Sequence, residues 1–173
     1  SIYRSTARLA QQTSKTAAGL ELGPLGTLTL RVVIPWQSGN QRIGYIELGK
    51  EINLLHAGHQ ASPHLQFYTF IHKHLLQRDQ WEQGMRMLGL NPQWDLMPKQ
   101  IFSGGTSQTL PPGLVDFVKA GKPKEEAELF DIFFAEEESD FSHISILDVN
   151  KTDVGFLVMV QDESLRKTLT RTH

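Results

Sequence analysis

The sequence contains no cysteine, which excludes disulfides, thiolate metal ligands and a Cys-x-x-Cys-His haem attachment. No apolar run approaches the length of about 18 residues that a membrane-spanning helix needs. Ser1, Ile2 and Tyr3 supply neither an initiator methionine nor a signal sequence. The chain is therefore expected to be a piece excised from a longer protein, and a membrane anchor in the parent stays open. A charge excess is lacking too: 17 Lys and Arg against 19 Asp and Glu leave −2, so neither nucleic acid nor an anionic membrane surface is an expected partner. Catalytic signatures are equally scarce. There is no Gly-x-Ser-x-Gly elbow, Gly104 and Gly105 lack the Lys-Ser/Thr of a phosphate loop, and Gly19, Gly23 and Gly26 are too widely spaced for a dinucleotide fingerprint. Neither an enzymatic role nor a cofactor is expected for this segment.

What remains is an ordinary globular composition, 173 residues with 39% hydrophobic, enough for one domain or two small ones with a real core. The organising stretch is 28–52, read as strand, turn, strand and an exit helix over 50–59. Leu28, Leu30, Val32, Ile34 and Trp36 alternate with Thr29, Arg31 and Val33, the period of a strand with one face on a core. A three-residue turn at Ser38, Gly39 and Asn40 would set Leu30 opposite Leu48, Val32 opposite Ile46 and Arg31 opposite Glu47. Gly44 would then be small because neighbours crowd it.

Before this hairpin, a weakly amphipathic helix is expected within 1–18 and a short strand over 19–24. After it, 64–72 alternates on two largely apolar faces and reads as an interior strand. Residues 73–89 switch to helical spacing, with Leu75, Leu76, Trp81, Met85 and Leu88 as the buried stripe, Glu82 and Arg86 as an i,i+4 pair, and Gly89 as the C-cap. A short strand at 97–102 and a proline-led helix over 111–120 follow. Strands at 128–134, 141–147 and 154–160, with a turn at 148–152, lead to a final helix over 163–173 capped by Asp162.

Two segments are near-duplicates. Ile43 to Leu48 followed by Gly49 to Ile52 aligns with Val154 to Met159 followed by Val160 to Glu163, each after a strand and a polar turn. The hairpin, with Pro35 and Trp36, its glycine turn and Ile43 to Gly49, resembles the closing hairpin of extracytoplasmic Cache domains, the PAS-like sensors of bacterial membrane receptors. Taken with Thr16 to Thr27 and with Lys73 through Gly89, it looks like the double-Cache sensory region of two-component sensor kinases. The resemblance implies an α+β, PAS/Cache-like fold with a mainly antiparallel sheet flanked by helices. Residues 1–60 would be the C-terminal half of a first module and 61–173 a complete, membrane-proximal second one ending in a signalling helix. It also implies an extracytoplasmic, periplasmic location, a homodimeric receptor and a small-molecule ligand. The output, a histidine kinase first, or a diguanylate cyclase or chemotaxis transducer, is not chosen by the sensor sequence.

The expected pocket lies in the second module, where Tyr68, Trp81, Arg86, His143 and Asp148 sit on elements that would meet. Arg86 could hold a carboxylate ligand and Trp81 could wall it; the plainer reading makes Trp81 and Met85 core and spends Arg86 on Glu82. Arg31, Trp36 and Tyr45 are the corresponding first-module set, with Arg31 committed to Glu47. Two rivals stand beside a ligand sensor. A spacer that transmits but binds nothing would show a filled interior between Trp81 and His143. A metal-dependent enzyme would need three of His56, His59, His72, His74 and His143 to converge; surface or helix-end histidines explain these better, and no metal is expected. The acidic run Glu136 to Glu138 with Asp140 reads as a solvated loop.

Overall fold

The computed structural model describes residues 4–52, 65–121 and 141–161. Within them the protein is α+β, with three α-helices and seven strands in two antiparallel sheets. The first part is α1 (Ser5–Thr13), β1 (Ala17–Leu22), β2 (Leu28–Ser38) and β3 (Gln41–Glu51), in sheet order β1-β2-β3. The second part is β4 (Leu65–His72), α2 (Arg78–Met87), β5 (Gln100–Gly105), α3 (Leu114–Ala120), β6 (Phe141–Leu147) and β7 (Asp153–Gln161), in order β5-β4-β7-β6.

The β2–β3 hairpin forms, with a register two residues from the expected one. Gly39 and Asn40 alone make the turn between paired Ser38 and Gln41, and a bulge between Trp36 and Gln37 leaves Ile43 without a partner. Beyond it Val32 pairs with Leu48, Ile34 with Ile46 and Arg31 with Gly49. A shift of two preserves which residues share a face. Arg31 therefore still reaches Glu47, now diagonally, at 2.5 Å.

The expected buried face is the exposed one. Leu30, Ile34, Trp36, Ile46 and Leu48 are between 38 and 62% exposed. The opposite face carries Ala17, Val33 and Tyr45, and α1 closes on it through Ala7 and Ala10. Three alanines let helix and strands approach closely, and charge fixes the docking: Glu47 binds both Arg4 and Arg31, while Glu21 binds Arg31 and the Thr6 amide. Leu9, on the other side of α1, is 38% exposed. Crowding at Gly44 is also absent, since a Cβ there would meet nothing within 4 Å. The exit helix does not begin at Lys50, because β3 runs on through Glu51; the remainder of that helix, the strand at 128–134 and the final helix at 163–173 lie outside the described residues.

Only the root of the first sheet enters the larger core. Leu20, Leu22 and Leu28 pack with Ile71, Leu76, Trp81, Met85, Ile101 and Val154. A second cluster joins Tyr68, Phe70, Phe156 and Val158 to Met97, Leu114 and Val118, so α3 packs on the strands at that end. The β6–β7 turn ties back to β1, with the Val149 amide donating to the Leu20 carbonyl at 2.8 Å.

The near-duplication does not extend to surroundings. The β2–β3 hairpin projects with one face open, whereas β7 is interior, bonded to β4 and β6. Gly155, the counterpart of Gly44, is pressed on β4: a Cβ there would fall 2.0 Å from the Phe70 carbonyl oxygen.

Candidate functional site

The stretch read as one helix over 73–89 is a 3-10 turn at Lys73–Leu75 followed by α2, which begins after extended Gln77. Leu75 and Leu88 fall off the buried stripe as a result, at 36 and 55% exposure, while Leu76, Trp81 and Met85 stay buried. Gly89 ends α2 with φ of +72°; its amide donates to Arg86 and that of Leu90 to Met85, a Schellman close that turns the chain sharply. The segment thus redirected, together with α2, the edge strand β5, the loop after β5 and α3, borders an open cleft of about 500 Å³.

Trp81 and Met85 form the α2 wall, Phe102 and Ser103 the β5 wall, and Leu110 and Val115 the side toward α3. Asn91, Gln93, Gln108 and Thr109 add neutral polar groups. A volume near 500 Å³, mostly apolar walls and a few convergent polar groups fit a small-molecule site. The cleft draws on both core clusters, since Trp81 and Met85 belong to the first and Phe102, Leu110 and Val115 pack against the second.

Trp81 is placed from the far side by the β1–β2 turn. Gly26, with φ of +78°, lies so close that a Cβ would fall 2.4 Å from Trp81 Cδ1, so only glycine fits there. The Gly26 carbonyl accepts from buried Ser103 Oγ at 3.3 Å, pinning the same turn to β5. Trp81 is 2% exposed, and its indole Nε1 has no hydrogen-bond partner among the described residues. Its ring lies 5.5 Å from that of Trp94.

Charges at the margin are spent on one another. Arg78 binds Glu82 at 2.8 Å and Asp95 at 2.6 Å, and Arg86 binds Glu82 at 2.8 Å with 60% of its side chain exposed. Lys73 donates to the Met97 carbonyl and lies over the Trp94 ring at 5.2 Å. Burial lowers the Lys73 ammonium below the usual lysine range, and Asp95 pulls the other way.

Of the five expected site residues, Trp81 alone walls this cleft. Tyr68 is buried behind it, its hydroxyl donating to Gln66 Oε1 at 2.7 Å with the Thr109 carbonyl at 3.4 Å. Burial raises that phenol above its usual range against a smaller opposing effect of Ser107. His143 is 6% exposed and stands edge-on to Phe156 at 6.1 Å, away from Trp81. Asp148 shapes the β6–β7 turn, accepting the Asn150 and Thr152 amides at 2.8 and 2.9 Å. Arg86 takes the plainer reading, a surface pair with Glu82.

Among the described histidines, His72 stacks on His74 at 5.5 Å and faces Asp153, while Phe156 lies between His72 and His143. No group of three metal-capable side chains occurs among the described residues; His56, His59 and the acidic run at 136–140 lie outside them. Sequence reasoning missed Leu96, Phe102, Leu110, Val115 and the carboxamides, whose only signal is the pair Pro111 and Pro112 marking a break before α3. No family model, curated protein or solved structure matches the chain.

Proposed function

We propose that the chain is a ligand-receiving module of a bacterial membrane signalling receptor, with a PAS/Cache-like fold, working outside the cytoplasmic membrane as part of a dimer. The observation that carries this reading is the cleft of about 500 Å³ beside β5, walled by Trp81 and bordered by both halves of the core. An antiparallel sheet with helices against it and ligand-sized space beneath them is the arrangement the resemblance calls for. β7 contributes Val154 to one cluster and Phe156 and Val158 to the other, so a change in the cleft's walls reaches the strand whose end leads toward 162–173. Small displacements of about 1–2 Å suffice for such transmission. The parent's output, a histidine kinase in the first instance, belongs to the same proposal.

Thermal-shift screening tests it. A ligand at a hundred times its dissociation constant adds about 2.7 kcal/mol, which for a chain of this length raises Tm by about 5–11 °C. Val115→Trp, which fills the cleft, should abolish the shift. A panel without a single stabilising compound would support the second reading, a spacer that binds nothing, which the packed surroundings of His143 favour.

A further inference from the structure

We infer that the cleft selects uncharged, mostly apolar small molecules bearing amide or hydroxyl groups, and rejects carboxylates and ammonium ions. This deepens the ligand-site reading above and rests on it. Among the described residues, not one that lines the cleft carries a formal charge. The basic side chains beside it already have partners: Arg78 with Glu82 and Asp95, Arg86 with Glu82, and Lys73 with the Met97 carbonyl. Recruiting Arg78 or Lys73 to an anion would leave Asp95 or a buried carbonyl without its partner, and Arg86 is held to Glu82 on the surface, outside the cleft's lining. The acidic groups beside it are engaged by the same pairs, so among the described residues a cation finds no unpaired counterion either. A charge entering a mostly apolar cleft without one loses hydration that neutral hydrogen-bonding groups only partly replace.

The polar groups that are available are neutral and two-sided. Asn91, Gln93 and Gln108 each offer carboxamide donors and an acceptor, which match an amide or hydroxyl on a ligand.

The test is calorimetric titration of the whole chain at neutral pH with three size-matched series built on the same aryl and alkyl skeletons: propanamides, propanoates and propylammonium salts. The amides should bind at least about tenfold more tightly than either charged series. Val115→Trp should remove that binding. Gln108→Arg, at an exposed position, should bring the propanoates to within about tenfold of the amides. Tighter binding of a charged series in the wild type, lost in Val115→Trp, overturns this inference and leaves the ligand-site reading standing. Binding by no series, or binding indifferent to Val115→Trp, overturns the ligand-site reading itself. Failure of Gln108→Arg to admit the acids while still binding amides counts against the charge argument even if Val115→Trp does not fold.

Discussion

Adding one methyl group at Gly155 should be among the most damaging small changes in the molecule, and the same addition at its sequence counterpart Gly44 should be harmless. A Cβ on Gly155 would lie 2.0 Å from the Phe70 carbonyl oxygen and 3.0 Å from Ile71 Cα. Neither contact can relax by rotating a side chain, because both atoms are backbone. Gly155 is paired with Ile71 on one side and Ile146 on the other, so β7 cannot move away from β4 without pushing on β6. Overpacking of this kind costs about 1–3 kcal/mol, and each ladder hydrogen bond lost adds about 1 kcal/mol. We expect about 3 kcal/mol for Gly155→Ala, a fall in Tm of about 6–12 °C at this chain length. At Gly44 nothing lies within 4 Å, and replacing a strand-interior glycine by alanine gains about 0.5–1 kcal/mol. Thermal unfolding of both variants by circular dichroism decides the matter. A Gly155→Ala protein melting within about 2 °C of wild type, or a Gly44→Ala protein as damaged as Gly155→Ala, would refute the reasoning.

Glu47→Gln weakens the contacts to Arg4 and Arg31, whose side chains are 54 and 20% exposed; urea titration should read a loss of about 1–2 kcal/mol, smaller in high salt. The Tyr68 phenol is raised by burial, so the unfolded chain loses this proton first, near 10.0, while the native state keeps it. Stability should therefore fall as pH climbs past 10, and the urea midpoint of Tyr68→Phe should fall less steeply between pH 9.5 and 11. Arg86→Ala should cost no more than about 0.5 kcal/mol, as loss of an exposed i,i+4 pair, and leave the affinity for the amide series unchanged. Leu48→Lys, at a position 62% exposed, should change stability by less than about 0.5 kcal/mol; a larger loss would mean that this sheet face is covered in solution.

Where local chemistry dictates structure, the sequence was readable. Asp148 announces its turn because its carboxylate can take two nearby amides, and Gly89 announces the end of α2 because only glycine accepts the required φ at little cost. β6 ends at Leu147, where the polar turn expected at 148–152 stops it. The Arg31–Glu47 pair survived an error in register because a slip of two keeps the face. What could not be read was which face of β2 meets a helix: the larger apolar side chains argue for one side, while Ala7, Ala10 and Ala17 bury the other through close approach. The cleft was hidden for a different reason. Trp81 and Met85 show helical spacing, but Asn91, Gln93, Leu96, Gln108 and Leu110 come from segments with no period, brought together by the turn after Gly89 and the bend before α3.

The pairing of Trp81 with Trp94 at 5.5 Å gives the protein an optical gauge of its own interior. One of these indoles forms part of the cleft wall, and its neighbour sits under the Lys73 ammonium, so the emission of the pair should respond to whatever displaces solvent from that wall. Trp36, 55% exposed on the distant hairpin, provides a steady aqueous background against which the change can be read. Occupancy could thus be followed in unlabelled protein, with Trp36→Phe removing the background and leaving the signal.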